Sequence, residues 1–108
     1  MAPRTWGNVV SPNHVPEEIS DRQFFQQLAV LELITENEAL EAVRTGVLPA
    51  ALETFVQALP SGDQFSARML LSGATTFRRS HAMTALFGQL QGMSSDDIDN
   101  VWRDAALL

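Results

Sequence analysis

From residue 19 onward, apolar residues recur at helical spacing along almost the whole chain. Over residues 21–32, Phe24, Leu28 and Leu31 fall at i, i+4 and i+7 with Phe25 beside them, and residues 36–45 place Leu40 and Val43 ahead of Gly46. Such spacing predicts amphipathic helices, and glycine just past the second predicts its end. Pro49 suits a first helical position, with Leu52, Phe55, Val56 and Leu59 on one face up to Pro60. A fourth helix is predicted over about 62–79 with Phe65, Met69, Leu70 and Phe77 as its apolar residues. Its small middle, Ser72-Gly73-Ala74, suits a close helix approach or a bend. A fifth is predicted over about 81–91, with Met83, Leu86, Phe87 and Leu90, ending at Gly92. The last, over 95–106, sets Ile98, Val101, Trp102 and Ala105 at ideal spacing. No segment alternates convincingly with period 2. The fold expected is all-α, a compact bundle of five to six short helices with loops of two to four residues.

Four of these helices share a start signature. Ser20, Thr35, Ser61 and Ser94 each precede Gln23, Glu38, Gln64 or Asp97 by three residues. In that arrangement the hydroxyl accepts from the third backbone N–H of the helix and the later side chain reaches back to the cap. Ile19, Ile34, Pro60 and Met93 stand before the caps, positioned to staple onto Phe24, Ala39, Phe65 and Ile98. The intervals between the starts, 15, 26 and 33 residues, have no fixed period and argue against a solenoid.

Residues 1–18 differ. Pro3, Pro12 and Pro16 with Gly7, Asn8 and Asn13 disfavour helix and central strand. Trp6, Val9, Val10 and Val15 nevertheless give this stretch apolar handles. It reads as an extended N-terminal arm, 1–18, before a single helical domain, 19–108. A frayed terminus is one reading of the arm; attachment to another surface is the other. Trp6 is the sharpest contact candidate, because it belongs to no helix face and aromatic anchors dominate many interfaces.

Charge narrows the function classes. Thirteen acidic residues against seven basic ones give −6, which argues against general nucleic-acid binding and favours a basic partner or groove. All seven basic residues are arginine, suited to pairing with carboxylates. With no cysteine, disulfides and thiolate metal sites are excluded. The start of the chain lacks the apolar stretch of a signal peptide, and no run approaches the ~18 apolar residues of a membrane span. The sequence therefore predicts a soluble chain without membrane insertion, cytoplasmic when made.

Candidate chemistry is sparse. Asp96, Asp97 and Asp99 are the densest acidic cluster; their spacing fits no calcium loop, and acids in a first helical turn complement the dipole. Arg78, Arg79 and His81 are the one basic cluster. Near the end of the predicted fourth helix they would suit the dipole, or else contact an acidic partner. His14 and His81 are far apart, which leaves a two-histidine metal site unsupported. No nucleophile elbow, phosphate loop or zinc-protease motif occurs. No cofactor or metal is expected, and no catalytic residue is assigned. The interface candidates are Trp6, Val9, Val10, Val15, Arg78 and Arg79.

From Ile19 onward the chain resembles small proteins encoded among tail genes of bacterial siphophages and prophages. The resemblance runs through Ile19-Ser20-Asp21-Arg22-Gln23-Phe24-Phe25-Gln26-Gln27-Leu28-Ala29, Ile34 to Ala42, Met69 to Thr75 with Phe77, Met93 to Ile98, and Trp102 to Ala106. Ala82, where relatives often have proline, departs from it. The resemblance implies a phage tail setting and brings no catalytic residue. The expected function is a non-enzymatic tail protein, a small adaptor at the tail tip or tail-fibre attachment. It would be oligomeric within an assembly, with other tail or tail-fibre proteins as partners. Its expected location is the virion tail, and the host cytoplasm during assembly. The alternatives are a tail-fibre assembly chaperone that leaves the particle and an inhibitor of host defence.

Overall fold

Ser20, Thr35 and Ser94 cap their helices as their sequence context predicts. The computed structural model describes residues 14–108. The described residues contain six helices: α1 (Asp21–Val30), α2 (Glu36–Thr45), α3 (Ala50–Gln57), α4 (Ser61–Gly73), α5 (Ala82–Leu90) and α6 (Ser95–Ala105). At α1, α2 and α6 the cap hydroxyl accepts from the backbone of Gln23, Glu38 and Asp97, whose side chains each accept from the cap N–H. Each such cap stabilises its helix by about 1 kcal/mol.

The fourth start differs from expectation. Pro60 is the N-cap of α4 and Ser61 is its first helical residue, with no side-chain cap. Gln64 turns back to the preceding turn, where its Nε2 donates to the Leu59 carbonyl at 3.0 Å. The Pro60–Phe65 staple does not form, since both residues are exposed. Pro49 likewise sits one position earlier than expected, as the N-cap of α3. Helix α3 receives its side-chain cap from another element: the Ala50 N–H donates to Glu38 Oε2 at 2.9 Å. Glu38 therefore caps two helices, because its Oε1 accepts from Thr35 N–H at 2.9 Å.

Helix α4 ends at Gly73, six residues before its expected end, and the chain enters a short strand. Strands β1 (Glu18–Ser20) and β2 (Thr76–Arg78) form an antiparallel ribbon in the register Glu18↔Arg78, Ile19↔Phe77, Ser20↔Thr76. Backbone bonds from Arg79 to Glu17 (2.8 Å) and from Asp21 to Thr75 (2.9 Å) extend it. Phe77 continued the helical spacing of Met69 and Gly73, which concealed the strand. Ala74 leaves the helix at ψ 141°, and the adjacent Thr75 and Thr76 are β-branched residues suited to extended backbone. The α4–α5 connection is thus longer than the two to four residues expected, and the arm's last residue, Glu18, belongs to β1.

The ribbon turns Ile19 and Phe77 inward. Phe77 meets Phe24 with ring centroids 4.7 Å apart, and Phe24 also lies 5.3 Å from Phe25, 6.2 Å from Phe87 and 5.8 Å from Trp102. Phe24 of α1 is thereby the centre of an aromatic cluster that joins β2, α5 and α6. Phe55 extends it from α3 through Phe87 at 5.6 Å. Leu28, Leu52, Val56, Ile98, Val101 and Ala105 fill the remaining core. Gly88 brings α5 against α6, since a Cβ there would lie 2.2 Å from Ile98 Cδ1. The Trp102 indole Nε1 is buried without a hydrogen-bond partner among the described residues. Trp102 borders an apolar cavity of about 40 Å³.

Candidate interaction surfaces

Several bulky side chains expected in the core lie in solvent, and they define the candidate surfaces. Helix α4 buries only Ala67 and Leu71, while Phe65 is 73% exposed and Met69 60%. These two stand one turn apart on an outward face. The helix is held against α3 by an ion pair between Arg68 and Glu53, so the face is presented by an anchored element. In α2 the one buried residue is Ala42; Leu40 and Val43, expected as its core face, are exposed. With Ala29 and Val30 of α1 and Ala39, they line an open groove of about 580 Å³. Leu31, Leu86 and Leu90 are also exposed.

A small-side-chain rule explains these differences. Ala42 is the buried residue of α2, and Ala67 is one of the two buried residues of α4, with Leu71. A face built on alanine turns the larger apolar residues one or two positions away toward solvent.

The two arginines of the basic cluster follow a strand and not a helix C-terminus, so the dipole does not account for them. Arg78 is the last residue of β2, with Arg79 following it. Arg78 stays 58% exposed and pairs with Glu18 at 2.9 Å, its partner in the ribbon register. The Arg79 side chain is only 19% exposed; its Nε donates to Asp99 Oδ1 at 2.7 Å. Its Nη2 donates to the Ser95 carbonyl at 3.2 Å and hydroxyl at 3.1 Å. Arg79 therefore locks the ribbon to the start of α6. His81 is the N-cap of α5, its Nδ1 accepting from Met83 N–H at 3.1 Å.

The acidic cluster divides by task. Asp97 completes the α6 cap and Asp99 holds Arg79. Among the described residues no group of three or more His, Cys, Asp or Glu could hold a metal ion, and no helix is long and apolar enough to cross a membrane. The backbone N–H groups of Ala50 and Thr35 hold the Glu38 carboxyl below its ordinary pKa.

Val15 is half-buried and packs against the core, so this handle is turned to the chain's own body. Trp6, Val9 and Val10 lie outside the described residues. The sequence pattern missed the α1–α2 groove and the outward face of α4. The signal available for them was an alanine at a buried position, Ala42 or Ala67, among more large apolar residues than one face needs.

No protein-family model, curated protein or solved structure matches the chain.

Proposed function

We propose that this chain is a non-enzymatic bacteriophage tail protein, a small adaptor that works by docking onto other tail or tail-fibre proteins. The observation that carries the docking part is the outward face of α4. A phenylalanine and a methionine held in water on an anchored helix are unfavourable for an isolated chain, and they are residue types that serve as interface anchors. The phage setting rests on the resemblance that begins at Ile19. Trp6, Val9 and Val10 are proposed as a second point of attachment, and Arg78, with its side chain 58% exposed, as a rim contact. The chain acts within an oligomeric assembly and stays in the virion tail.

Mass spectrometry of purified particles tests this reading. The protein is expected at a constant ratio to the other tail proteins. Its absence from particles, with the protein present in infected cells, would overturn the adaptor and leave an assembly factor that departs.

A further inference from the structure

The groove between α1 and α2 combines an apolar lining with charge of one sign at one end. Val30, Leu40 and Val43 are 60%, 54% and 43% exposed around it. Val30 and Glu36 flank the loop that joins the two helices, and Glu36 lines the groove there. A neighbouring hollow shares Ala29 and Glu36 and continues to Glu32. Glu32 occupies the left-handed turn that ends α1, with φ 61°.

The other acidic groups nearby are engaged. Glu38 accepts from two backbone N–H groups, and Glu41 pairs with Arg44 at 3.0 Å. Arg22, the cation on the groove wall, donates to Gln26 at 2.7 Å and to the Leu108 carbonyl at 3.1 Å. Glu32 and Glu36 have no ion-pair partner among the described residues. Negative charge therefore collects at the loop end of the groove, and Arg22, at the start of α1, stands as a cation toward the other end.

We infer that this groove receives an amphipathic helix of a partner protein, apolar on one face and carrying lysine or arginine at the end that meets Glu32 and Glu36. Each wall is a ten-residue helix, about 15 Å long, which matches roughly three turns of a third helix. Two helices side by side form a trough that an i, i+3/i+4, i+7 apolar face fills. The net charge of −6 disfavours a second copy of this chain as the occupant. The inference rests on the docking half of the proposed function and not on the tail assignment, so absence from virions would leave it standing.

The test uses the full-length protein and a labelled amphipathic peptide of about eighteen residues, long enough to form helix on binding. The peptide carries leucine on one face and lysine at one end, and binding is read by fluorescence anisotropy. Saturable binding is expected, at least about tenfold tighter than for a peptide with glutamate at that end or a scrambled one. Leu40→Asp should weaken it about tenfold or more, and Glu32→Gln with Glu36→Gln about fivefold. The same charge change made at Asp63 and Asp96, both to Asn, should alter it by less than about twofold. All these positions are exposed, and circular dichroism checks that each variant stays helical. Equal losses from the Asp63/Asp96 pair, or full binding to Leu40→Asp, would overturn the inference. A dimer in sedimentation that Leu40→Asp abolishes would overturn it in favour of a second copy. More than tenfold tighter peptide binding after deletion of residues 1–13 would overturn it in favour of the chain's own segment.

Discussion

Helix α6 buries Ile98, Val101, Trp102 and Ala105, whereas α4, with bulky apolar residues of its own, keeps Phe65 and Met69 in solvent and meets the body through Ala67 and Leu71. Both helices are amphipathic in sequence. The difference lies in what each face meets. Trp102 of α6 meets Phe24 at the aromatic centre, and Ile98 and Val101 line one small cavity with both rings and Phe77. Helix α4 lies along α3 at the edge of the fold, where alanine and leucine suffice. Periodicity reports that a helix has an apolar face; it does not report whether the rest of the chain covers that face.

The largest expected effect follows from this contrast. Trp102→Ala should destabilise the protein by about 3–5 kcal/mol, while Phe65→Ala should change stability by less than about 0.5 kcal/mol. Urea unfolding of both variants checks this, and comparable losses would mean that α4 is buried in solution. A smaller loss should come from crowding the α5–α6 contact. Gly88→Ala drives a Cβ into Ile98 and should cost about 1–3 kcal/mol. Combined with Ile98→Ala, it should cost less than the sum of the two single losses. Calorimetric melting of the three variants decides the matter, and simple additivity would mean that the two helices are not in contact.

Glu38 gives the smallest of these effects, with a defined pH dependence. Glu38→Ala removes a cap from α2 and from α3 and should cost about 1–2 kcal/mol at neutral pH. Its carboxyl titrates below the ordinary value because the ionised form accepts from Ala50 and Thr35. For a depressed carboxylate, the stabilising contribution is present above the unfolded-state pKa and is lost as pH falls through the folded-state one. The difference between wild type and Glu38→Ala should therefore shrink on acidification. A difference independent of pH would assign the loss to packing instead.

The helices and three of their caps were legible because they depend on local chemistry. Ser20 with Gln23, Thr35 with Glu38 and Ser94 with Asp97 lie within one turn of each other, where sequence distance and spatial distance coincide. The β1–β2 ribbon was not legible: Ile19 and Phe77 are far apart in sequence, and a three-residue strand shows too little alternation to outweigh the helical spacing of Phe77. The basic cluster was visible, but its meaning depended on that same pairing, which places Arg78 opposite Glu18 and Arg79 against Asp99. The exposure of Phe65 and Leu40 was hidden for a related reason. Residues that pack and residues that dock are of the same types, and only the tertiary arrangement separates them.

The central claim is that apolar side chains withheld from the core serve attachment. Incorporation of Phe65→Ser/Met69→Ser into phage particles, measured against wild type by quantitative mass spectrometry, tests it most directly. The expected result is a double variant with unchanged helicity and thermal stability that is depleted from particles by about tenfold or more. Incorporation at the wild-type level by the folded variant would contradict the claim.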